Sequence, residues 1–149
     1  GDAQSQYALA LLYEYGGGTI VRDQKKSLQF LRKSADKNVA GACLYLGIKY
    51  EHGNGVGQDY KKAICYYLCA ASQDWPMAQF FLADFYAQGK GVKKSELTAL
   101  AWLGLAREHG YPKADTEFLQ LQKQLGMSDL TVLATMQEKL MKKIRENCN

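Results

Sequence analysis

The sequence predicts an all-α protein, built as an α/α solenoid of stacked antiparallel helix pairs with a C-terminal helical cap. Similar segments recur every 36 or 37 residues, and each carries two apolar stripes of helical period around a glycine turn. Because one helix pair cannot bury both of its apolar faces, neighbouring pairs are expected to stack. Residues 1–149 are predicted to form a single domain, with repeats at about 1–38, 39–75 and 76–112 and cap helices at about 113–149.

The first helix of each unit is predicted from its apolar spacing. Each unit has a small residue at position i, a leucine at i+4, a second small residue at i+5 and a tyrosine at i+8. This spacing places all four on one helical face. Glycines follow three and five residues after the tyrosine, where the end of a helix favours a residue at positive φ. These sets are Tyr13, Gly16 and Gly18; Tyr50, Gly53 and Gly55; and Tyr86, Gly89 and Gly91.

The second helix of each unit is predicted to begin after a residue whose side chain can cap it. A valine is expected to fill the preceding turn, and small and aromatic residues recur 36 residues apart on the buried face. The caps are Asp23, Asp59 and Ser95, the valines are Val21, Val56 and Val92, and the recurring residues are Ser27, Ala63, Ala99, Phe30, Tyr66 and Trp102.

A last helix is predicted at about 129–147, after Gly126 and the capping residue Ser128. One face is apolar and the other charged, as expected of an element that covers the end of a solenoid. A basic amphipathic helix lying on a membrane surface is the alternative that this pattern leaves open. The apolar positions are Leu130, Leu133, Ala134, Leu140, Met141 and Ile144, interrupted by Gln137.

Three features of the second unit resemble the Sel1-like repeat family, whose members are related to tetratricopeptide repeats. They are the pattern L-G-x-x-Y-x-x-G-x-G-V at Leu46–Val56, the Lys-Ala pair at 62–63 and the Ala-Ala pair at 70–71. The resemblance covers about residues 1–112 and implies a right-handed superhelix with a non-catalytic adaptor or scaffold role. Sel1-like proteins are often bacterial and often in the cell envelope, so it also implies a protein partner and favours a periplasmic or secreted location.

Two further classes of function stay open. Some Sel1-like proteins are immunity proteins, so one alternative is an inhibitor of a secreted toxin enzyme. The other is a glycan- or peptidoglycan-binding envelope protein, which the ten tyrosines permit.

The start of the chain coincides with a repeat boundary. Gly1 occupies the register of Asn38, Asp74 and Gly110, which end the second helices. We therefore expect a repeat, a linker or a signal upstream of Gly1.

The alternating glycines Gly53, Gly55 and Gly57, followed by a lysine pair, would by themselves suggest a phosphate-binding loop. A dinucleotide fingerprint requires a buried strand before the loop, whereas the segment before Gly53 has helical period. The first two glycines also recur in all three units. We therefore interpret them as a structural turn and predict no cofactor, while Gly57 has no counterpart and no explanation.

The charge distribution argues against nucleic acid as a partner. The formal net charge is only +4, and the lysine pairs have acidic residues nearby, which is typical of solvated helix faces. The longest uncharged apolar runs, such as Ala63–Gln73, are too short to cross a bilayer. We predict neither nucleic-acid binding nor membrane insertion.

No catalytic or metal site is predicted, and the chain is not expected to be an enzyme. A zinc site of Cys65, Cys69 and His52 would have poor ligand spacing, and no Ser or Cys nucleophile has a recognisable base partner. Pairing of the helices about residue 56 places Cys43 level with Cys69. A disulfide between these two cysteines therefore stays an alternative, although ordinary buried thiols are the preferred interpretation.

The binding site is predicted from positions at which the units differ, because recurring positions form the core of a solenoid. Tyr45, Lys49 and His52 lie at spacings of 4 and 3 on one face of a first helix. Adjacent first helices would set such positions side by side on the concave surface, and an aromatic-rich strip suits a protein partner. The alternative is that Leu12 and Phe85 belong to the core between repeats. The predicted partner-binding residues are Tyr15, Tyr45, Lys49, His52, Phe81, Phe85 and Gln88.

Overall fold

The computed structural model describes residues 2–148, apart from the side chains of Ile144, Arg145 and Asn147. Within that range the chain forms eight α-helices, and its only β contact is an isolated bridge between Gly17 and Ile20. The expectations about Gly1 and about the side chain of Ile144 lie outside the described residues.

The first of two compact units, Gly1–Ala70, consists of two helix pairs. Within it, α2 packs against both α1 and α3. The connections are short, so successive helices run antiparallel. The helices are α1 (Ala3–Tyr15), α2 (Gln24–Ala35), α3 (Ala40–His52) and α4 (Tyr60–Ala71), the last of which extends one residue past the boundary of the unit.

The second compact unit, Ala71–Asn149, contains the third helix pair and the two C-terminal helices. Its central element is α6, which contacts α5, α7 and α8. The helices are α5 (Pro76–Gln88), α6 (Glu96–Glu108), α7 (Pro112–Leu125) and α8 (Thr131–Cys148).

Glycines at positive φ end the first helix of each pair, as the sequence predicts. Gly53 and Gly89 both adopt φ 72° in the left-handed region, and Gly16 has φ 76° with an extended ψ of 159°. A residue with a Cβ is disfavoured in this region, which accounts for the recurrence of glycine.

The residue that caps each second helix also ties the turn to the first helix. Its side chain accepts a hydrogen bond from a backbone N–H one turn ahead, which satisfies one of the free donors at a helix N-terminus. Its own backbone N–H donates to the carbonyl of the repeat tyrosine. These backbone pairs are Asp23 to Tyr13 at 2.8 Å, Asp59 to Tyr50 at 2.9 Å and Ser95 to Tyr86 at 2.9 Å.

The prediction that Val21 fills the first turn is wrong, because its side chain is 82% exposed. Ile20 takes that place instead. Its carbonyl oxygen lies 3.5 Å from the position of a Cβ on Gly16, which matches the 3.5 Å between the Val56 carbonyl and the same position on Gly53. The extra residue in the first turn shifts the register by one.

Stacked aromatic rings join the two helices of each pair in the first unit. Tyr13 stacks on Phe30 with centroids 5.8 Å apart, and Tyr50 stacks on Tyr66 at 5.6 Å. The second lysine of each lysine pair lies over the tyrosine ring and near the capping aspartate, an arrangement that favours the cation. These lysines are Lys26, 5.2 Å from the Tyr13 centroid, and Lys62, 5.4 Å from that of Tyr50.

A close approach and a disulfide fix α3 against α4. A Cβ on Gly47 would lie 2.5 Å from the ring of the buried Tyr67, whose hydroxyl donates to Glu51 at 2.5 Å. Cys43 and Cys69 form a disulfide with Cα atoms 6.0 Å apart. The preferred interpretation as buried thiols is therefore wrong, and the alternative that the helix pairing left open is confirmed.

Two amides of the second unit, one buried and one half-buried, have hydrogen-bond partners. Gln79 is nearly inaccessible; its Nε2 donates to the carbonyl of Ala71 at 3.1 Å, and its Oε1 lies 2.9 Å from Nδ1 of His109. Gln137, which interrupts the apolar stripe of α8, donates to the carbonyl of Ala101 at 2.6 Å. Hydrogen bonding removes most of the cost of withdrawing these amides from water.

The C-terminal helix begins slightly later than the sequence predicts. The carboxylate of Asp129, rather than the Ser128 hydroxyl, accepts from the backbone N–H of Thr131 at 2.9 Å. Leu133 is buried, consistent with an apolar face turned to the core. Neither α8 nor any other described helix combines the length and apolar character needed to cross a membrane.

Candidate functional site

Three tyrosines of α1 and α3 contact one another in the first unit. We call this group the tyrosine surface and define it as Tyr7, Tyr15 and Tyr45. The hydroxyls of Tyr15 and Tyr45 lie 3.1 Å apart, and the rings of Tyr7 and Tyr45 meet edge to face with centroids 6.1 Å apart. Tyr15 is 67% exposed, so this surface is accessible, and Leu12 of the same helix is 40% exposed. The alternative that Leu12 belongs to the core is therefore wrong.

The surroundings of Tyr45 and Tyr7 favour the neutral form of both phenols. The hydrogen bond to Tyr15, reinforced by desolvation, raises the pKa of Tyr45 well above its usual range. Burial is the main reason that the pKa of Tyr7 is also raised. Their hydroxyls can therefore donate and accept hydrogen bonds across the working pH range.

Lys49 does not join this surface as a free cation, which corrects its assignment as an accessible binding residue. Its side chain is 6% exposed, and Nζ lies 2.9 Å from Oε1 of Glu14. The other carboxylate oxygen of Glu14 accepts from the Ser27 hydroxyl at 2.8 Å. The ammonium is committed to holding α3 against α1.

The remaining predicted residue of the first unit, His52, is exposed at the C-terminal end of α3. It lies one helical turn beyond Lys49, so it remains on the same side of α3 as the predicted strip. The structure therefore leaves it accessible to a partner.

In the second unit, the three predicted residues on α5 differ in accessibility. Phe81 is half-buried, with its ring centroid 6.4 Å from that of Phe80, and Gln88 is exposed. Phe85 is 0% exposed, with the ammonium of Lys90 5.5 Å from its ring centroid. Phe85 is therefore a core residue, as the alternative interpretation stated, and its assignment to the binding strip is corrected.

A groove lies between α5, α6 and α7, and the sequence analysis did not identify it. Its volume is about 320 Å³. The α7 residues that line it include Glu117, Leu121 and Gln124, which stand one repeat after Phe81, Phe85 and Gln88. The α7 helix lacks the Tyr-x-x-Gly ending of the other first helices, so the repeat pattern fades there. The sequence therefore gives no signal that the predicted binding strip continues onto α7.

Two further residues of the first unit were missed. Tyr7 precedes Tyr15 by eight residues, a spacing that keeps both near one face of a helix, and this could have been noticed. The sequence around Glu14 contains nothing that marks it, because its role comes from hydrogen bonds with Ser27 of α2 and Lys49 of α3. Among the described residues, no group of three or more His, Cys, Asp or Glu side chains could hold a metal ion.

Three consecutive segments of the chain match the family model of the Sel1 repeat. They are residues 3–39, 40–75 and 76–111, which together make up most of the chain. The chain belongs to the Sel1 repeat family. The resemblance inferred from the Leu46–Val56 pattern is thereby confirmed.

Two curated fungal proteins are similar to this Sel1 repeat chain. Chitin synthase regulatory factor 2 of Schizosaccharomyces pombe is 28% identical over 125 residues, or 81% of this chain. Chitin synthase regulator SKT5 of Saccharomyces cerevisiae is 33% identical over 104 residues, or 68% of this chain. The alignments span only 24% and 15% of the length of those two proteins.

A solved structure shares the fold. The crystal structure of a Sel1 repeat protein from Oxalobacter formigenes superposes with a TM-score of 0.76 at 29% identity, covering 80% of this chain and 89% of the other. Together with the eight described helices, this confirms the predicted all-α helical-repeat solenoid.

Proposed function

We propose that this Sel1 repeat chain is a non-catalytic protein-interaction module that binds another protein through the tyrosine surface and through His52, which lies two helical turns after Tyr45 on α3. The observation that carries the proposal is the exposure of Tyr15 on a surface otherwise fixed by packing. Its hydroxyl is held by Tyr45, so a partner would meet a pre-ordered aromatic side chain rather than a mobile one. Tyrosines in such settings are among the residues that contribute most to protein interfaces.

The family relatives support the same class of function. Two are named as regulators of another protein, chitin synthase, which is consistent with a role directed at a protein partner. Since the chain spans less than a quarter of either relative, the identity of its own partner does not follow from theirs. Bacterial origin, an envelope location and the immunity and glycan-binding alternatives stay predictions.

The accessible residues of α5 are candidates for a second contact in the second unit. Phe81 offers a half-buried ring and Gln88 an exposed amide, whereas Lys49 and Phe85 are no longer proposed as contacts. We retain Tyr15, Tyr45, His52, Phe81 and Gln88 as the partner-binding residues.

The test is affinity capture from the native cell, with quantitative mass spectrometry, on three forms of the chain. Tyr15→Ala removes the exposed ring of the tyrosine surface, and Val21→Ala removes a more exposed apolar side chain from a turn outside it. We expect a protein retained by the wild type and by Val21→Ala but lost with Tyr15→Ala. Equal retention by all three forms, or retention by none, would refute the proposed function.

A further inference from the structure

The groove of the second unit has an apolar floor and a polar rim. Ala83 and Ala87 of α5, Leu103 of α6 and Leu121 of α7 supply the apolar part. The rim consists of two carboxylates and two amides, Asp84, Glu117, Gln120 and Gln124. A volume of about 320 Å³ is at the small end of ligand pockets, so it suits one side chain and a short stretch of backbone.

The two carboxylates differ in how they are neutralised. Asp84 already accepts from Lys90 Nζ at 2.9 Å and from the amide of Gln88. Glu117 forms no ion pair or hydrogen bond among the described residues, although Lys113 lies near enough to influence it. Glu117 is exposed. Desolvation, together with the charge of Asp84, nevertheless raises its pKa, so an added cation would favour its ionised form.

A basic side chain is the occupant that complements this groove. The aliphatic stem of a lysine or arginine would lie against the alanines and leucines, and the cation would meet Glu117. The amides of Gln120 and Gln124 offer both a donor and an acceptor to the backbone of an extended segment. A nucleic acid would place phosphates beside carboxylates and is disfavoured by the same charges.

We propose that the groove between α5, α6 and α7 takes a lysine or arginine side chain from an extended segment of the partner, with Glu117 receiving the cation. This rests on the proposed function and specifies the chemistry of the partner. The register supports it in part, because Glu117 and Gln124 of the groove are the repeat counterparts of Phe81 and Gln88, which are retained as partner-binding residues.

The test uses short peptides of defined charge and does not require the natural partner. The chain, uniformly labelled with ¹⁵N, is titrated with acetyl-Ala-Ala-Arg-Ala-Ala-amide while its NMR chemical shifts are recorded. The same titration is made with a peptide that carries citrulline in place of arginine, which keeps the shape and removes the charge. A lysine and acetyl-lysine pair forms the second arm. We expect a dissociation constant of roughly 1 mM for a charged peptide, with shifts centred on Leu121 and Gln124.

Two variants localise the effect. Glu117→Gln should weaken the charged peptide about threefold to fivefold, as expected of a partly exposed ion pair, and should leave the neutral peptide unchanged. Glu138→Gln, which removes an exposed carboxylate of α8, is the control and should have no effect. Helicity by circular dichroism should be the same for all forms.

Three outcomes would overturn the proposal: no binding at 10 times the expected constant of roughly 1 mM, equal shifts with charged and neutral peptides, or shifts centred outside the groove. None of these bears on the tyrosine surface. A partner captured through Tyr15 would still support the proposed function, so the two proposals fail separately.

Discussion

The ammonium of Lys49 lies 2.9 Å from the carboxylate of Glu14 and joins α3 to α1. The same carboxylate accepts from Ser27 of α2, so one acidic side chain connects three helices. Both charged side chains are largely inaccessible, at 6% and 15% exposure for Lys49 and Glu14. Glu14 directly precedes Tyr15, so the pair fixes the two helices that carry the tyrosine surface.

Lys49→Met should destabilise the first unit because it leaves the Glu14 carboxylate without its cation. We expect the free energy of unfolding, from urea denaturation, to fall by about 2–3 kcal/mol. Adding Glu14→Gln should restore part of the loss, since the remaining group is then neutral. Lys37→Met, at an exposed position, is the control and should change stability by less than about 0.5 kcal/mol. Equal effects of Lys49→Met and Lys37→Met would show that the pair does not stabilise the fold.

Acid should weaken the fold through Glu14. Burial opposes ionisation, but hydrogen bonds from Lys49 and Ser27 and the charges of Lys49 and Arg22 outweigh it, so the pKa of Glu14 lies below its ordinary value of 4.5. A depressed folded-state pKa gives stability that is present above pH 4.5 and lost as pH falls through the folded value. Urea titrations between pH 3 and pH 7 should therefore show a smaller acid-induced loss for Glu14→Gln than for the wild type. Parallel pH profiles would contradict this.

Gly47→Ala should destabilise the chain, although alanine is the better helix former. The new Cβ would meet the ring of Tyr67, which is fully buried and hydrogen-bonded to Glu51 and so has little freedom to move. Overpacking costs about 1–3 kcal/mol, against about 1 kcal/mol gained from helix propensity. We expect a net loss of about 1 kcal/mol in thermal or urea denaturation.

The matched control for that substitution is Gly57→Ala. A Cβ on Gly57 would meet nothing within 4 Å, and its φ is not in the left-handed region. Alanine there should be neutral or should stabilise by about 0.5 kcal/mol. A loss equal to that of Gly47→Ala would contradict the packing explanation and would give Gly57 a role that its surroundings do not show.

The disulfide between Cys43 and Cys69 should contribute substantially to stability. It closes a loop of 26 residues, for which chain entropy gives about 3.5 kcal/mol. The double substitution Cys43→Ser and Cys69→Ser should lower the free energy of unfolding by about 2–4 kcal/mol. Non-reducing peptide mapping of the wild type should show the two cysteine peptides linked. Separate, alkylatable peptides would show that the bond does not form.

The repeated features of the fold follow from local sequence chemistry, which is why they could be predicted. Gly53 and Gly89 mark turns because only glycine tolerates that backbone conformation cheaply, and Asp23 and Asp59 mark helix starts because their carboxylates reach a backbone N–H. Such signals lie within a few residues of one another.

The candidate site could be predicted only in part, because burial depends on neighbours far away in sequence. Nothing local distinguishes Lys49 from an exposed lysine; its partner Glu14 stands 35 residues earlier. Phe85 is likewise buried by its surroundings, while Leu12, at the same position of the first repeat, is exposed. The groove between α5, α6 and α7 could not be predicted from the sequence, because α7 has lost the repeat signature.

The affinity of the captured partner for the Tyr15→Ala chain, measured by isothermal titration calorimetry, tests the central claim most directly. If the tyrosine surface is the binding site, loss of its exposed ring should weaken binding about 30-fold, the effect of an interface residue worth about 2 kcal/mol. Val21→Ala should bind within about twofold of the wild type, since single exposed apolar side chains outside an interface contribute little. A Tyr15→Ala chain that binds as tightly as the wild type would contradict the account.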